Sequence, residues 1–136
     1  MQTRNNKNGF PVPTESAEQQ ALFQWAAIQG KSVPELSLLY HVPNGGGRSK
    51  AEAGRFKDEG VKAGVPDICL PVARGGFHGL YIELKRQQGS KTSDDQREWI
   101  ERLSAQGYVA MVCRGWHKAA EAIMIYLKLG AKTQCE

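Results

Sequence analysis

The sequence lacks several features that would place it in a familiar class. No apolar run approaches the roughly 18–20 residues that cross a bilayer, so we expect no membrane association. The first ten residues, MQTRNNKNGF, lack the apolar region of a secretory signal, and the protein is therefore not expected to be secreted. Internal repeats are also missing, and a length of 136 residues predicts one domain with a core of its own.

Cysteine is scarce, and its spacing excludes the usual cysteine-based sites. The three cysteines, Cys69, Cys113 and Cys135, form no CxxC pair and cannot all pair within one chain. Cys69 and Cys113 lie in apolar runs and are interpreted as small core residues. This usage indicates a reducing, cytoplasmic setting and argues against a structural zinc site.

Positive charge is in modest excess. The formal net charge is +4 and the pI is about 9.1, which favours a polyanionic partner, although a solvated surface of mixed charge explains the same numbers. The basic residues gather in two stretches: Arg48, Lys50, Arg55, Lys57 and Lys62 in the first, and Lys85, Arg86 and Lys91 in the second.

Apolar periodicity predicts an α/β fold in which helices pack on a mixed sheet. The predicted helices span 16–29, 50–62, 94–106 and 116–128. Ser16 with Gln19, and Ser93 with Gln96, have the spacing of capping boxes at the start of two of them. The predicted strands span 36–44, 66–73, 79–86 and 108–114, of which the second and third form a hairpin and the last is central.

Acidic residues interrupt the predicted hairpin, which reads GVPDICLPVARGGFHGLYIELK over residues 64–85. Because side chains alternate along a strand, Glu83 and Lys85 project from the same face, roughly 6–7 Å apart. If the hairpin folds about residues 75–77, Asp67 lies opposite the end that carries them. Two carboxylates and an amine then converge beside a sheet.

Such a cluster suits a hard divalent cation. Two nearby carboxylates repel each other unless one is protonated or a cation intervenes. Mg²⁺ takes oxygen ligands and keeps several waters, which are the reactants that phosphodiester hydrolysis needs. The open alternative is that Glu83 and Lys85 decorate a solvent-exposed face and that Asp67 is a turn residue after Pro66.

The ordered motifs resemble a known family. PD at 66–67 followed by ELK at 83–85 is similar to the PD-(D/E)xK nuclease superfamily. GVPDICL, YIELK, the following SxxQ helix with Trp99, and GYVAMVCRGWHKA together resemble the virus-type replication–repair nuclease (VRR-NUC) domain. The resemblance implies a restriction-endonuclease-like fold in a single domain over 14–130, between a flexible tail at 1–13 and a C-terminal tail at 131–136.

Carried over residue by residue, the resemblance implies an Mg²⁺ or Mn²⁺ site. Asp67 and Glu83 would be metal ligands, with the Leu84 carbonyl as a further ligand, and Lys85 would be the catalytic lysine. Glu18 corresponds to the family's acidic residue on the first helix, although a helix-dipole role explains an acid in a first turn.

Two further polar residues, Gln96 and His41, have two readings each. Gln96 is a catalytic candidate that reaches the site beside Lys85, although its capping box explains it as well. His41 and Asn44, in HVPNGGGR, fit the family's strand and loop near the site, but His41 can equally be an ordinary histidine. The residues predicted to contact DNA are Asn44, Arg48, Lys50, Arg86 and Lys91.

The resemblance implies a DNA endonuclease in a prokaryotic or phage-infected cell. Small members of the family resemble Holliday-junction resolvases, and a two-fold homodimer offers two equivalent sites for two equivalent strands. Two alternatives stay open: a monomeric flap, nicking or restriction-type nuclease, and an inactive DNA-binding module. No small-molecule cofactor is expected.

Overall fold

The computed structural model describes residues 9–43 and 49–130 as four helices and a four-stranded sheet. The helices are α1 (Glu15–Gln29), α2 (Lys50–Asp58), α3 (Asp94–Ala105) and α4 (Trp116–Leu127). The strands are β1 (Tyr40–His41), β2 (Ile68–Leu70), β3 (Leu80–Lys85) and β4 (Val109–Arg114). None of the helices in the described ranges has the length and apolarity that crossing a membrane requires.

The sheet has the order β1-β2-β3-β4 and is mixed. β1 and β2 are antiparallel, β2 and β3 form the antiparallel hairpin, and β3 runs parallel to β4. The crossover between the two parallel strands contains α3, as such a connection requires. The predicted α/β fold, with its mixed sheet and flanking helices, is confirmed.

One face of the sheet is sealed by α1 and α4. The side chains of Leu80, Ile82 and Leu84 on β3 are at most 1% exposed. Leu22 of α1 and Ile123 of α4 belong to the same apolar cluster. Alternation along β3 therefore sends Tyr81, Glu83 and Lys85 to the opposite face, where burial needs a different explanation.

Two strand predictions were partly wrong. The first three residues of the predicted strand at 36–44 belong to a 3₁₀ helix over Pro34–Leu38, because Pro34 has the fixed φ that suits a first helical position. Only Tyr40 and His41 pair with β2. β4 lies at the edge of the described sheet and is not central. Its apolar sequence has another cause, since α3 and α4 both pack against it.

The start of α1 also differs from the prediction. The helix begins at Glu15, and the Thr14 hydroxyl accepts a hydrogen bond from Ala17 N, so Thr14 and not Ser16 caps the helix. The buried stripe is displaced as well. Leu22 is fully buried, whereas Ile28 is 70% exposed. At α3 the predicted capping box of Ser93 and Gln96 is present.

Because Leu22 is buried and Ile28 is exposed, substitutions at these two positions of α1 should differ in their effect on stability. Leu22→Ala should lower the free energy of unfolding by about 2–5 kcal/mol, because it empties a packed site between α1 and the sheet. Ile28→Ala on the same helix should change it by no more than about 0.5 kcal/mol. Urea denaturation followed by circular dichroism measures both. Equal losses for the two variants would contradict the core described here.

Candidate active site

The hairpin register brings two carboxylates together. Ile68 pairs with Ile82, so the antiparallel register places Asp67, the preceding residue, opposite Glu83. The Leu84 backbone N–H donates a 2.8 Å hydrogen bond to Asp67 Oδ1 and holds that carboxylate against β3. Both acids are buried, at 7% exposure for Asp67 and 5% for Glu83. The opposition of Asp67 to the end of β3 agrees with the sequence prediction.

A third carboxylate comes from the first residue of α1. One oxygen each of Glu15, Asp67 and Glu83 lies within 4.8 Å of the other two. Sequence reasoning missed Glu15, because it selected Glu18 from the apolar stripe of the helix. The sequence signal that could have identified Glu15 is its position directly after Thr14, because the side chain of a first helical residue points toward the N-terminal end of the helix.

Lys85 is held beside this cluster by Gln96. Lys85 Nζ donates to Gln96 Oε1 at 2.9 Å, and Gln96 Nε2 donates to Glu83 Oε1 at 2.8 Å. Lys85 Nζ also lies 3.7 Å from Glu83 Oε1. The Gln96 side chain accepts from Ser93 N as well, so it belongs to the capping box and to the site at once. Both roles considered for Gln96 are thus compatible in space.

The loop before β2 is fixed from two sides. His41 Nδ1 donates a 2.9 Å hydrogen bond to the Asp67 carbonyl, since a carbonyl oxygen can only accept. Gly64 has a φ of +88°, and a Cβ there would lie 2.6 Å from the Asp95 backbone carbon. A glycine is therefore needed where this loop meets the start of α3. Both contacts position Asp67.

The acids open into a polar cavity of about 550 Å³. Its lining combines the three carboxylates with Lys85 and Gln96 on the sheet side. The other lining residues are Ser16, Gln19, His41, Pro43, Gly64 and Val65. The cavity is therefore a cleft between the start of α1, the hairpin and the start of α3.

Burial removes Asp67 and Glu83 from water, which makes the charged forms of both carboxylates less favourable. Burial raises the pKa of Asp67 to about 6, against a lowering by the Leu84 N–H, and Glu15 raises it further. Burial also raises the pKa of Glu83 to about 7, Asp67 adds to the increase, and Lys85 opposes it. The single nearby ammonium therefore does not balance the carboxylates, and the site favours an additional cation.

Glu18 lies elsewhere. It is 2% exposed, and its Oε2 accepts a 3.2 Å hydrogen bond from Trp116 N at the start of α4. Gly115, with a φ of +85°, allows this approach, since a Cβ there would lie 2.9 Å from Glu18 Oε2. A buried carboxylate at a helix N-terminus is stabilised by the free N–H groups and the helix dipole. The structure does not bring Glu18 into the carboxylate cluster.

The remaining predicted residues are dispersed. Arg86 Nη2 donates to the Val12 carbonyl at 3.1 Å, so Arg86 is used within the chain to hold the segment before α1. Lys50 begins α2 and is exposed, and Lys91 is exposed in the loop before α3. Asn44 and Arg48 lie outside the described residues. Leu84 contributes its N–H to Asp67, while the ligand role of its carbonyl stays a prediction.

Comparison with known proteins gives one family. A model of the VRR-NUC domain matches residues 14–117. A solved structure titled "VRR_NUC domain protein" is similar to this chain, with a TM-score of 0.76 and 38% sequence identity. The alignment covers 88% of this chain and 92% of that chain. A comparison with curated proteins gives no match.

The raised pKa values predict that the metal-free protein loses stability as pH rises. Between about pH 4 and 7 the folded state holds protons on Asp67 and Glu83 that the unfolded chain has released, because both folded-state pKa values are raised. The loss should amount to a few kcal/mol by pH 8. Urea denaturation in the presence of a chelator, from pH 5 to 8, measures it.

The control for that measurement is the double variant Asp67→Asn, Glu83→Gln. It removes both titrations while keeping the shapes of the side chains, so its stability should vary less with pH and exceed that of the wild type at pH 8. A wild type and a double variant with the same pH profile would contradict the burial of charge in this cluster.

Proposed function

The chain belongs to the VRR-NUC domain family, and from that premise we propose that it is a divalent-metal-dependent DNA endonuclease. The observation that carries this proposal is the cluster of Glu15, Asp67 and Glu83 beside Lys85. It supplies only oxygen donors, which suits Mg²⁺ or Mn²⁺ better than a softer metal. The raised pKa values of Asp67 and Glu83 fit the same conclusion, since a cation would relieve both.

Glu15, Asp67 and Glu83 would hold the ion. When bound, such an ion supplies Lewis-acid polarisation of a phosphoryl oxygen and lowers the pKa of a water molecule. The rest of the chemistry falls to the chain. Lys85 places a positive charge where the phosphate would lie and can orient a water by donating a hydrogen bond, which stabilises negative charge that develops during hydrolysis.

Gln96 acts in this proposal as a positioning residue. Its Oε1 accepts from Lys85 Nζ, while its Nε2 donates to Glu83 Oε1. It therefore bridges the ammonium and the carboxylate, which also lie 3.7 Å apart, and helps to fix their spacing. The capping box fixes the Gln96 side chain to α3, so the spacing between Lys85 and Glu83 depends on the helix.

DNA would be held chiefly through its phosphates. The proposed phosphate contacts are the exposed Lys50 and Lys91, together with Asn44 and Arg48. Contacts of this kind carry little sequence information, so selectivity would come from the shape of the DNA. We place the activity in a reducing cytoplasm, because Cys69 and Cys113 are buried free thiols.

We favour a homodimer that cuts branched DNA, by the symmetry of a four-way junction. A monomer with the same site would act on flaps, nicks or plain duplex. The third candidate is a DNA-binding module without catalysis. The complete set of Asp67, Glu83 and Lys85 argues against it, because an inactive descendant has no need to keep three buried charges.

The two acids of α1 give a direct test of which one holds metal. Glu15→Gln should weaken Mn²⁺ binding by on the order of tenfold or more, because it removes one of the ligand charges. Glu18→Gln should leave Mn²⁺ affinity within about twofold and lower stability by roughly 0.5–2 kcal/mol, because Glu18 serves the start of α4. Titration calorimetry and urea denaturation measure the two effects. The reverse pattern would return the ligand role to Glu18.

Cleavage of labelled four-way junction, flap and linear duplex with Mg²⁺ or Mn²⁺ tests the proposed activity. Lys85→Ala should slow cleavage by about 10²–10³-fold, because it removes the charge facing the phosphate. Lys128→Ala, at the exposed end of α4, is the matched control and should cleave normally.

The cut pattern separates the candidate functions. Paired cuts across the junction indicate the dimeric resolvase, and single cuts by a monomeric species indicate the second candidate. Cleavage that Lys85→Ala leaves unchanged would contradict the role of this site. If the wild type binds metal and DNA but cuts nothing, the binding module is the correct function.

A further inference from the structure

The face of the sheet opposite α1 and α4 carries a row of aromatic side chains next to the carboxylates. Tyr40 pairs with Cys69, and Cys69 pairs with Tyr81, so these three residues form one row across β1, β2 and β3. Residues that pair in register project from the same face of a sheet. The row therefore places two tyrosines on either side of a cysteine.

The row is exposed to solvent at Tyr40, whereas the other face of the sheet is covered by α1 and α4. Tyr40 is 48% exposed, whereas Ile82, on the other face, is fully buried. Among the described residues no helix packs extensively against β1 or β2, and α3 packs against β4. Cys69 is nevertheless 3% exposed, which fits a thiol lying between the two rings. The Tyr40 ring is thus accessible beside a buried thiol, and Tyr81 and Tyr108 are half-buried.

The aromatic surface continues along the sheet. Tyr81 and Tyr108 meet edge to face with their ring centroids 5.3 Å apart, and His78 meets Tyr108 in the same way at 5.6 Å. A hydrogen bond with Cys69 raises the pKa of Tyr40 to about 12. This phenol therefore stays neutral. The Tyr40 hydroxyl is engaged with a neighbour in the row, and its ring is left for contact with a partner.

The row adjoins the candidate active site on the same strand. Tyr81 precedes Glu83 by two residues on β3 and shares its face, so their Cα atoms lie about 6–7 Å apart. On β2, Cys69 likewise follows Asp67 by two residues and shares its face, which places Tyr40, the partner of Cys69 on β1, on that face too. A DNA strand whose phosphate reaches the carboxylate cluster would have neighbouring nucleotides within reach of these rings.

We infer that Tyr40, Tyr81 and Tyr108 form a stacking platform for unpaired bases of the DNA strand that enters the cleft. The inference rests on the proposed nuclease function and names the substrate feature that the site would select. Exposed aromatic rings on a sheet hold single-stranded nucleic acid by stacking, which tolerates any base sequence. The faces of paired bases inside a duplex are already stacked, so the platform favours DNA with unpaired nucleotides beside the cut.

Fluorescence of 2-aminopurine in a single-stranded overhang tests the platform without requiring cleavage. The full-length Lys85→Ala protein is titrated onto a duplex that carries the analogue in its overhang, and onto a blunt duplex of the same length. The fluorescence of 2-aminopurine in the overhang should be quenched on binding, because stacking on an aromatic ring quenches it. Adding Tyr40→Ala or Tyr81→Ala should weaken overhang binding by about tenfold and abolish the quench. Affinity for the blunt duplex should change by less than about twofold.

Two controls keep the result interpretable. Tyr40→Phe retains the ring and should behave as the parent, whereas Tyr40→Leu retains apolar bulk without the ring and should behave as the alanine variant. Phe77→Ala removes an exposed aromatic ring at the hairpin tip that is not part of the platform, and should have no effect. Circular dichroism confirms that each variant is folded, and the leucine variant replaces the alanine variant if the latter does not fold.

The outcomes separate this inference from the proposed function. If the wild type cuts DNA but the tyrosine variants bind the overhang normally, the platform is wrong and the nuclease stands. Equal weakening toward overhang and blunt duplex would also overturn the platform, because it indicates general damage or a different contact. If the quench depends on the tyrosines while the wild type cuts nothing, the platform stands and the nuclease proposal fails.

Discussion

The hydrogen bond from Leu84 N to Asp67 Oδ1 joins the two strands of the hairpin at the point where the site begins. It requires the register that pairs Ile68 with Ile82, and a shift of one residue would turn Glu83 and Lys85 into the apolar face under α1 and α4. The apolar residues of β3 therefore fix the site indirectly. Leu80, Ile82 and Leu84 must be buried on one side, which commits the alternate residues to the cleft.

The site concentrates like charge in a place that only partly tolerates it. Asp67 and Glu83 are buried together, and the Lys85 ammonium donates a hydrogen bond to Gln96 Oε1. Such an arrangement lowers stability unless a cation enters, because each buried carboxylate would otherwise hold a proton or repel its neighbour. The carboxylate cluster thus lowers the stability of the metal-free protein at the place where the proposed reaction needs an ion. Glu18 lies outside the cluster and accepts a hydrogen bond at the start of α4.

Local patterns in the sequence predicted the parts of the site that depend on one element. Alternation along β3 placed Glu83 and Lys85 on one face, and the SxxQ spacing placed Gln96 at the start of α3, near Lys85. Glu15 was not predicted, because which acid of α1 reaches the hairpin depends on the rotation of that helix against α4, a long-range packing detail. The strand at 36–44 was overestimated for a related reason, since Leu36 is buried from a 3₁₀ helix and not from a strand. The edge position of β4 likewise depends on tertiary contacts that no local pattern records.

The central claim is that Glu15, Asp67 and Glu83 together bind a divalent cation. A crystal of the protein soaked with Mn²⁺, measured at a wavelength where manganese scatters anomalously, tests it most directly. The account predicts an anomalous peak among these three carboxylates, at the roughly 2.0–2.2 Å ligand distances that a small divalent ion adopts with oxygen. No peak at saturating Mn²⁺, or a peak held by Glu18 and not by Glu15, would contradict it.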